Sequence, residues 1–250
     1  MRRIAATGLL LLLLTAVPAS AQPPPGWRPD VAAARTYAAG RAGEVSFAVR
    51  TEKRAWSWRG TASYRSASVV KAMLLVAYLR RADVRSRALR SGERALLDPM
   101  VRVSDNRAAD VVHARVGLPG LRALGRRAGM RRFVPHPVWG GCLITAEDQA
   151  RFFLRIDRYV VARHRATAMR LLRRVVPSQR WGVGQVAPRG WRLYFKGGWG
   201  SGTGAVDHQV ALLERGRARV AIAVLTTAQG THAYGKESLR GVFKRLVRGL

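Results

Sequence analysis

The pattern of apolar and polar positions changes period three times along this chain. Residues 30–39 carry a helical pattern, and residues 44–50 and 55–59 are rich in β-formers on either side of a short polar turn, which predicts two strands. Residues 69–80 are apolar on most faces and predict a buried helix. Amphipathic patterns of period 3.6 follow at 106–116, 120–128, 145–157 and 162–175, with Pro135 and Pro137 making 130–143 a loop. Strand patterns return at 191–196, 206–214 and 219–226, the last two joined by Glu214-Arg215-Gly216-Arg217-Ala218, which suits a hairpin. A helix over 236–247 closes the order. The succession predicts an α/β fold of the α+β kind, its sheet assembled from both chain ends around a helical middle. No internal repeat is present.

The N-terminus has a separate character. Met1-Arg2-Arg3 leads into an apolar run and then Ala19-Ser20-Ala21, a small-x-small cleavage pattern, so residues 1–21 read as a secretory signal peptide. The apolar run is too short for a span of roughly 18 residues or more, and no later segment reaches that length. Residues 22–28, with Pro23-Pro24-Pro25, form a stiff linker, leaving 29–250 as the folded domain. The expected location is therefore secreted or in the cell envelope. The chain carries 45 Lys and Arg against 14 Asp and Glu, a net charge of +31, which favours acidic partners. Export removes nucleic acid from that set and leaves anionic wall polymer or lipid. The single cysteine, Cys142, excludes an intrachain disulfide and a multi-cysteine zinc site. No cofactor or metal is expected.

The cations are almost all arginine, which cannot lose its proton, so the few lysines invite a chemical question. Lys71 stands inside the apolar helical stretch, three residues after Ser68 and on the same helical face. A hydroxyl beside a desolvated amine is an activated nucleophile, although a Ser-x-x-Lys also arises readily by chance. Ser104-Asp105-Asn106 contains the only asparagine of the chain. It supplies a second hydroxyl for proton relay and an amide, or else Ser104 or Asp105 simply caps the helix that follows. Lys196-Gly197-Gly198-Trp199 ends an aromatic strand; its glycines permit close approach of another backbone or a ligand, or form a plain turn.

In this order, Ser68-Val69-Val70-Lys71, Ser104-Asp105-Asn106 and Lys196-Gly197-Gly198 resemble the Ser-x-x-Lys, Ser-Asp-Asn and Lys-Thr-Gly trio of the class A β-lactamases and wider penicillin-binding serine hydrolases. The resemblance extends over nearly the whole folded chain. It implies a three-layer sandwich with an antiparallel sheet of about five strands. It also implies Ser68 as acylated nucleophile, Lys71 as base or proton shuttle, Ser104 as relay to the leaving nitrogen, and Asn106 as a substrate-amide contact. Lys196, Gly197, Gly198 and Trp199 would line the substrate, with Lys196 adding positive potential. The oxyanion hole would come from the backbone N–H groups of Ser68 and Trp199.

Two departures qualify the match. The family's deacylating glutamate lies in the loop before the Thr145 helix, yet residues 129–142 contain neither Glu nor Asp. Glu147 suits a helix start, and His136 is the only neutral-pH base in the loop. Gly197 replaces the family's threonine, so carboxylate binding weakens unless Arg215, Arg217 or Arg219 compensates. Trp139 and Trp199 either wall the pocket or belong to the core. The expectation is a monomeric exported serine hydrolase acylated by a β-lactam or a D-Ala-D-Ala-like cell-wall peptide and slow to deacylate. The alternative is a catalytically silent cationic protein bound to an anionic envelope polymer.

Overall fold

The computed structural model describes residues 23–24, 26–200 and 205–250. The signal segment 1–21 lies outside the described residues, as do Gln22 and Pro25 of the linker. In chain order run α1 (Val31–Ala39), β1 (Glu44–Arg50), β2 (Ala55–Trp58), β3 (Tyr64–Arg65), α2 (Val70–Leu79), α3 (Ser91–Arg102) and α4 (Asn106–Arg127). They are followed by β4 (Leu143–Ile144), α5 (Ala146–Leu154), α6 (Ile156–Tyr159), α7 (Ala162–Arg173), α8 (Val183–Val186), β5 (Arg192–Gly200), β6 (Val206–Arg215), β7 (Ala218–Thr227) and α9 (His232–Leu246).

The main sheet has the order β2-β1-β7-β6-β5 and every pair is antiparallel. The strand periodicity at the two chain ends is thus one sheet, with β1 paired to β7 from Glu44↔Thr227 to Arg50↔Ala221. Successive side chains leave a strand on opposite faces, and here both faces are covered. Phe47, Val49, Ile222 and Val224 pack with Leu239, Phe243 and Leu246 of α9. Ala48, Ala221, Ala223 and Leu225 pack with α2, α4 and α5 on the other face. The result is a three-layer arrangement. Helix α2 is apolar all round because all ten of its residues are buried in the middle of the helical layer.

Helix α3 was not foreseen, since Gly92 and Pro99 weaken its pattern and Pro99 forfeits an internal hydrogen bond. Tertiary packing of Leu97, Met100 and Val101 holds it, together with Glu93. The Glu93 carboxylate accepts from Arg90 N–H at 2.7 Å and pairs with the Arg87 guanidinium at 2.7 Å. Arg87 above all, then the backbone donor, holds its pKa down to about 2 from 4.5. A folded-state pKa below the unfolded one stabilises the fold above pH 4.5 and loses that contribution as pH falls toward 2. Glu93→Gln is expected to cost about 2 kcal/mol at pH 7 and little at pH 2, read from urea unfolding at the two pH values.

The remaining differences are local. The patterns at 106–116 and 120–128 join in α4 across a kink at Gly117, whose φ of +64° suits glycine, followed by Pro119. The proline-rich loop is pinned at its end, where β4 pairs with β3 and Val134 bridges Leu143. Strand β5 runs beyond 196 to Gly200, so Lys196-Gly197-Gly198-Trp199 is sheet edge and not a turn.

Candidate functional site

Ser68 lies on a 3-10 turn, Ala67–Val69, which leads directly into α2 and puts Lys71 in the first helical turn. Ala67, just before it, has φ +41°, a strained conformation for a residue with a Cβ. Ser68 keeps 8% exposure while Lys71 is wholly buried. The Lys71 Nζ donates to the Ser104 carbonyl at 2.5 Å and to Asn106 Oδ1 at 2.8 Å, and lies 3.3 Å from Ser104 Oγ. Its pKa is pushed down to about 8 by burial, which Asp105 and Asp110 oppose. Among the hydrogen bonds of the described residues, none joins Lys71 Nζ to Ser68 Oγ.

Ser104 occupies the link between α3 and α4 with φ +61°, in the left-handed region. Asp105, not Ser104, is the cap of α4, accepting from Ala108 N–H at 2.7 Å. The Ser104 hydroxyl is left to Lys196, whose Nζ lies 3.0 Å away and also donates to the Gly197 carbonyl at 2.8 Å. Lys196 is fully buried, and burial first, then the nearby Lys71 charge, drive its pKa well down. Two amines therefore share one hydroxyl. The Lys71 charge disfavours protonation of Lys196.

The edge strand β5 brings its glycines against this cluster. A Cβ at Gly198 would stand 2.8 Å from the backbone nitrogens of both Ser68 and Val69, so only glycine allows the strand so near the nucleophile turn. Gly197 faces the other side, where a Cβ would meet Trp181 Cη2 at 3.3 Å. The space that a side chain at Gly197 would enter is thus walled by an indole. Trp199 projects to the same side, edge-on to Trp181 and stacked on His232 at 5.7 Å between centroids. His232 Nδ1 is held 2.5 Å from the buried Asp207 carboxylate. No sequence motif marked Trp181, Asp207 or His232; they reach this edge through separate elements.

The loop 129–142 contributes Trp139, half-buried, whose ring lies 4.5 Å from Lys71 Nζ and whose Nε1 donates to Asp110 Oδ1 at 2.7 Å. Its carbonyl also accepts from Ser66 Oγ at 3.2 Å. His136 is tied to its own loop, with Nδ1 accepting from Val138 N–H at 3.0 Å. Glu147 faces β2, where Oε1 accepts from Ser57 Oγ at 2.7 Å. Of the three hairpin arginines, Arg219 pairs with Asp157 and Glu214 and Arg215 lies over Trp191. Their turn is at the opposite end of β6 from Asp207–Val210, the stretch that pairs with Lys196–Trp199. None of them faces Lys196.

The sequence profile described as the beta-lactamase enzyme family matches residues 87–246. Solved structures similar to this chain include a β-lactamase from Sphaerobacter thermophilus, 19% identical, with TM-score 0.76 over 88% of this chain and 97% of that one. A class A β-lactamase representative from Bacteroides cellulosilyticus is 15% identical, with TM-score 0.77 over 88% and 96%. One from Mycobacterium abscessus is 17% identical, with TM-score 0.72 over 86% and 96%. Among curated proteins no sequence matches.

Proposed function

From the premise that this chain belongs to the beta-lactamase enzyme family, we propose that it is an exported hydrolase acylated on Ser68 by a β-lactam or a D-Ala-D-Ala-like cell-wall amide. The observation that carries this reading is the Ser104 hydroxyl placed between Lys71 Nζ at 3.3 Å and Lys196 Nζ at 3.0 Å, beside the Ser68 turn. In its neutral form Lys71, turned about its side-chain torsions, takes the Ser68 proton as the oxygen attacks the substrate carbonyl carbon. The backbone N–H groups of Ser68 and Trp199 receive the developing oxyanion, each worth about 3 kcal/mol in sites of this kind. When the carbon–nitrogen bond breaks, the nitrogen takes a proton from Ser104 Oγ, which is replenished from Lys71. Asn106 contacts the substrate amide, and Lys196, Gly198 and the aromatic edge beyond Gly197 line its flank.

Release of the acyl group is slow in this reading, because loop 129–142 brings no carboxylate. Among the described residues no helix is long and apolar enough to cross a membrane. The test is intact-mass spectrometry of the chain from residue 22 onward incubated with benzylpenicillin from seconds to hours. An adduct on wild type and none on Ser68→Ala is the expected result. A Ser68→Ala protein that still labels would remove Ser68 as nucleophile. No adduct on either would favour the silent cationic envelope protein, for which binding to an anionic polymer should collapse with added salt.

A further inference from the structure

We propose that His208 is a positioning residue for the nucleophile: from within the sheet it holds the segment that leads into the Ser68 turn, through its bond to the Arg65 carbonyl. The inference rests on the acylation of Ser68 proposed above.

Residues directly opposite each other in an antiparallel pair put their side chains on the same face of the sheet. His208 on β6 stands opposite Gly198, the glycine whose missing Cβ makes room for the backbone nitrogens of Ser68 and Val69. Its imidazole therefore faces the same turn. The ring is wholly buried and edge-on to the buried Tyr64 ring, 5.9 Å between centroids. Nδ1 lies 3.1 Å from the Thr226 nitrogen of β7, and Nε2 lies 2.9 Å from the Arg65 oxygen. A backbone N–H only donates and a carbonyl only accepts, so Nδ1 is the acceptor and Nε2 carries the one ring proton. Burial, opposed by the Arg65 and Asp207 backbone, drives the pKa down to about 4, so the ring stays uncharged in neutral solution. Both nitrogens are thus committed, one to the sheet and one to the segment before the nucleophile.

The turn needs such a hold. Ala67 stands between Ser66 and Ser68 at φ +41°, a conformation that persists only where its surroundings impose it. On the loop side, Ser66 N–H donates to the Cys142 carbonyl at 2.7 Å and Ser66 Oγ donates to the Trp139 carbonyl at 3.2 Å. On the sheet side, His208 fixes the Arg65 carbonyl. Loosening that side lets the strained residue relax and displaces Ser68. The displacement acts mainly on bond formation, because Asn106 and Lys196, the proposed substrate contacts, are carried by α4 and β5.

The two bonds of the ring are separable by substitution. His208→Asn puts Oδ1 close to the place of Nδ1, which keeps the acceptor for Thr226 and loses the donor to Arg65. His208→Gln reaches further, which keeps a donor for Arg65 through its amide nitrogen and loses the acceptor. Quenched intact-mass spectrometry of Ser68 adducts over a series of benzylpenicillin concentrations separates the limiting rate from the half-saturating concentration. Urea unfolding ranks stability, and Glu93→Gln, altered in α3, serves as a folded protein of lowered stability. The expected result is a limiting rate about a hundredfold lower in His208→Asn at a half-saturating concentration within about threefold of wild type, with His208→Gln and Glu93→Gln within about fivefold of the wild-type rate. Equal losses in the two His208 variants, or the greater loss in His208→Gln, would overturn the proposal while leaving acylation of Ser68 in place. His208→Asn reacting as fast as Glu93→Gln would do the same. If His208→Asn does not fold, His208→Gln decides by itself: a rate near wild type supports the Arg65 bond, and a hundredfold loss overturns it. No wild-type adduct at all would overturn the acylation reading, and this proposal with it.

Discussion

Lys71→Arg is expected to lower the rate of Ser68 acylation by about a thousandfold, within the range of a lost general base. Arginine keeps the positive charge and the reach toward Ser104 and Asn106, but its guanidinium does not give up a proton. The wild-type amine does so because the surrounding core makes the ammonium costly, which brings its pKa to about 8. Acylation in the wild type should therefore rise with pH and level off above about 8, since the proposed base is the neutral amine. The variant should lack this rise. Quenched mass spectrometry of adduct formation across pH separates the two. The same shift acts on stability with a definite sign. Between about 8 and the ordinary lysine value of 10.5 the unfolded chain binds more protons at this position than the folded one, so stability should increase with pH across that interval. Below 8 the buried ammonium is a standing cost.

Gly198→Ala should be nearly as damaging although it adds a single methyl group. That carbon would lie 2.8 Å from the backbone nitrogens of Ser68 and Val69 and 3.1 Å from the Ser66 carbonyl oxygen. All three are backbone atoms of a buried turn, and no flexible side chain is there to yield. Strand β5 must move away from the nucleophile turn, which separates the two N–H groups proposed for the oxyanion. Misplacing one such donor costs on the order of a hundredfold to a thousandfold in rate. Overpacking also destabilises by about 1–3 kcal/mol. Adduct kinetics with benzylpenicillin and urea unfolding measure both effects. Acylation at the wild-type rate in a folded Gly198→Ala protein would contradict the placement of the oxyanion donors.

Much of this architecture was legible because periodicity is set by which faces are covered. The apolar run around Lys71 read as a buried helix, and the terminal strand patterns read as one sheet. Lys71 stood out as an amine inside an apolar run, whereas Ser68, Ser104, Asn106 and Lys196 were marked by the resemblance of their motifs, in that order, to the family's trio. Helix α3 escaped because its hold comes from Arg87, Glu93 and tertiary packing while Gly92 and Pro99 argue locally against it. Trp181, Asp207 and His232 escaped for another reason. Their meeting with Trp199 depends on how a connecting loop, β6 and the start of α9 lie across the β5 edge, and nothing in their own segments records it.

The pairing of β1 with β7 also bears on how the protein comes into being. β1 ends at Arg50 and its partner begins at Ala218, so the centre of the sheet closes a loop containing most of the chain. Such closure is paid in chain entropy before any contact rewards it, which slows folding. The helical layer between them is built from contacts close in sequence and can organise earlier. Ser68, Lys71 and Ser104 belong to that layer, whereas Lys196 and Gly198 arrive with the sheet. The proposed nucleophile therefore has its full set of neighbours only when the two ends of the chain have paired, and recovery of acylation is expected no earlier than closure of the sheet.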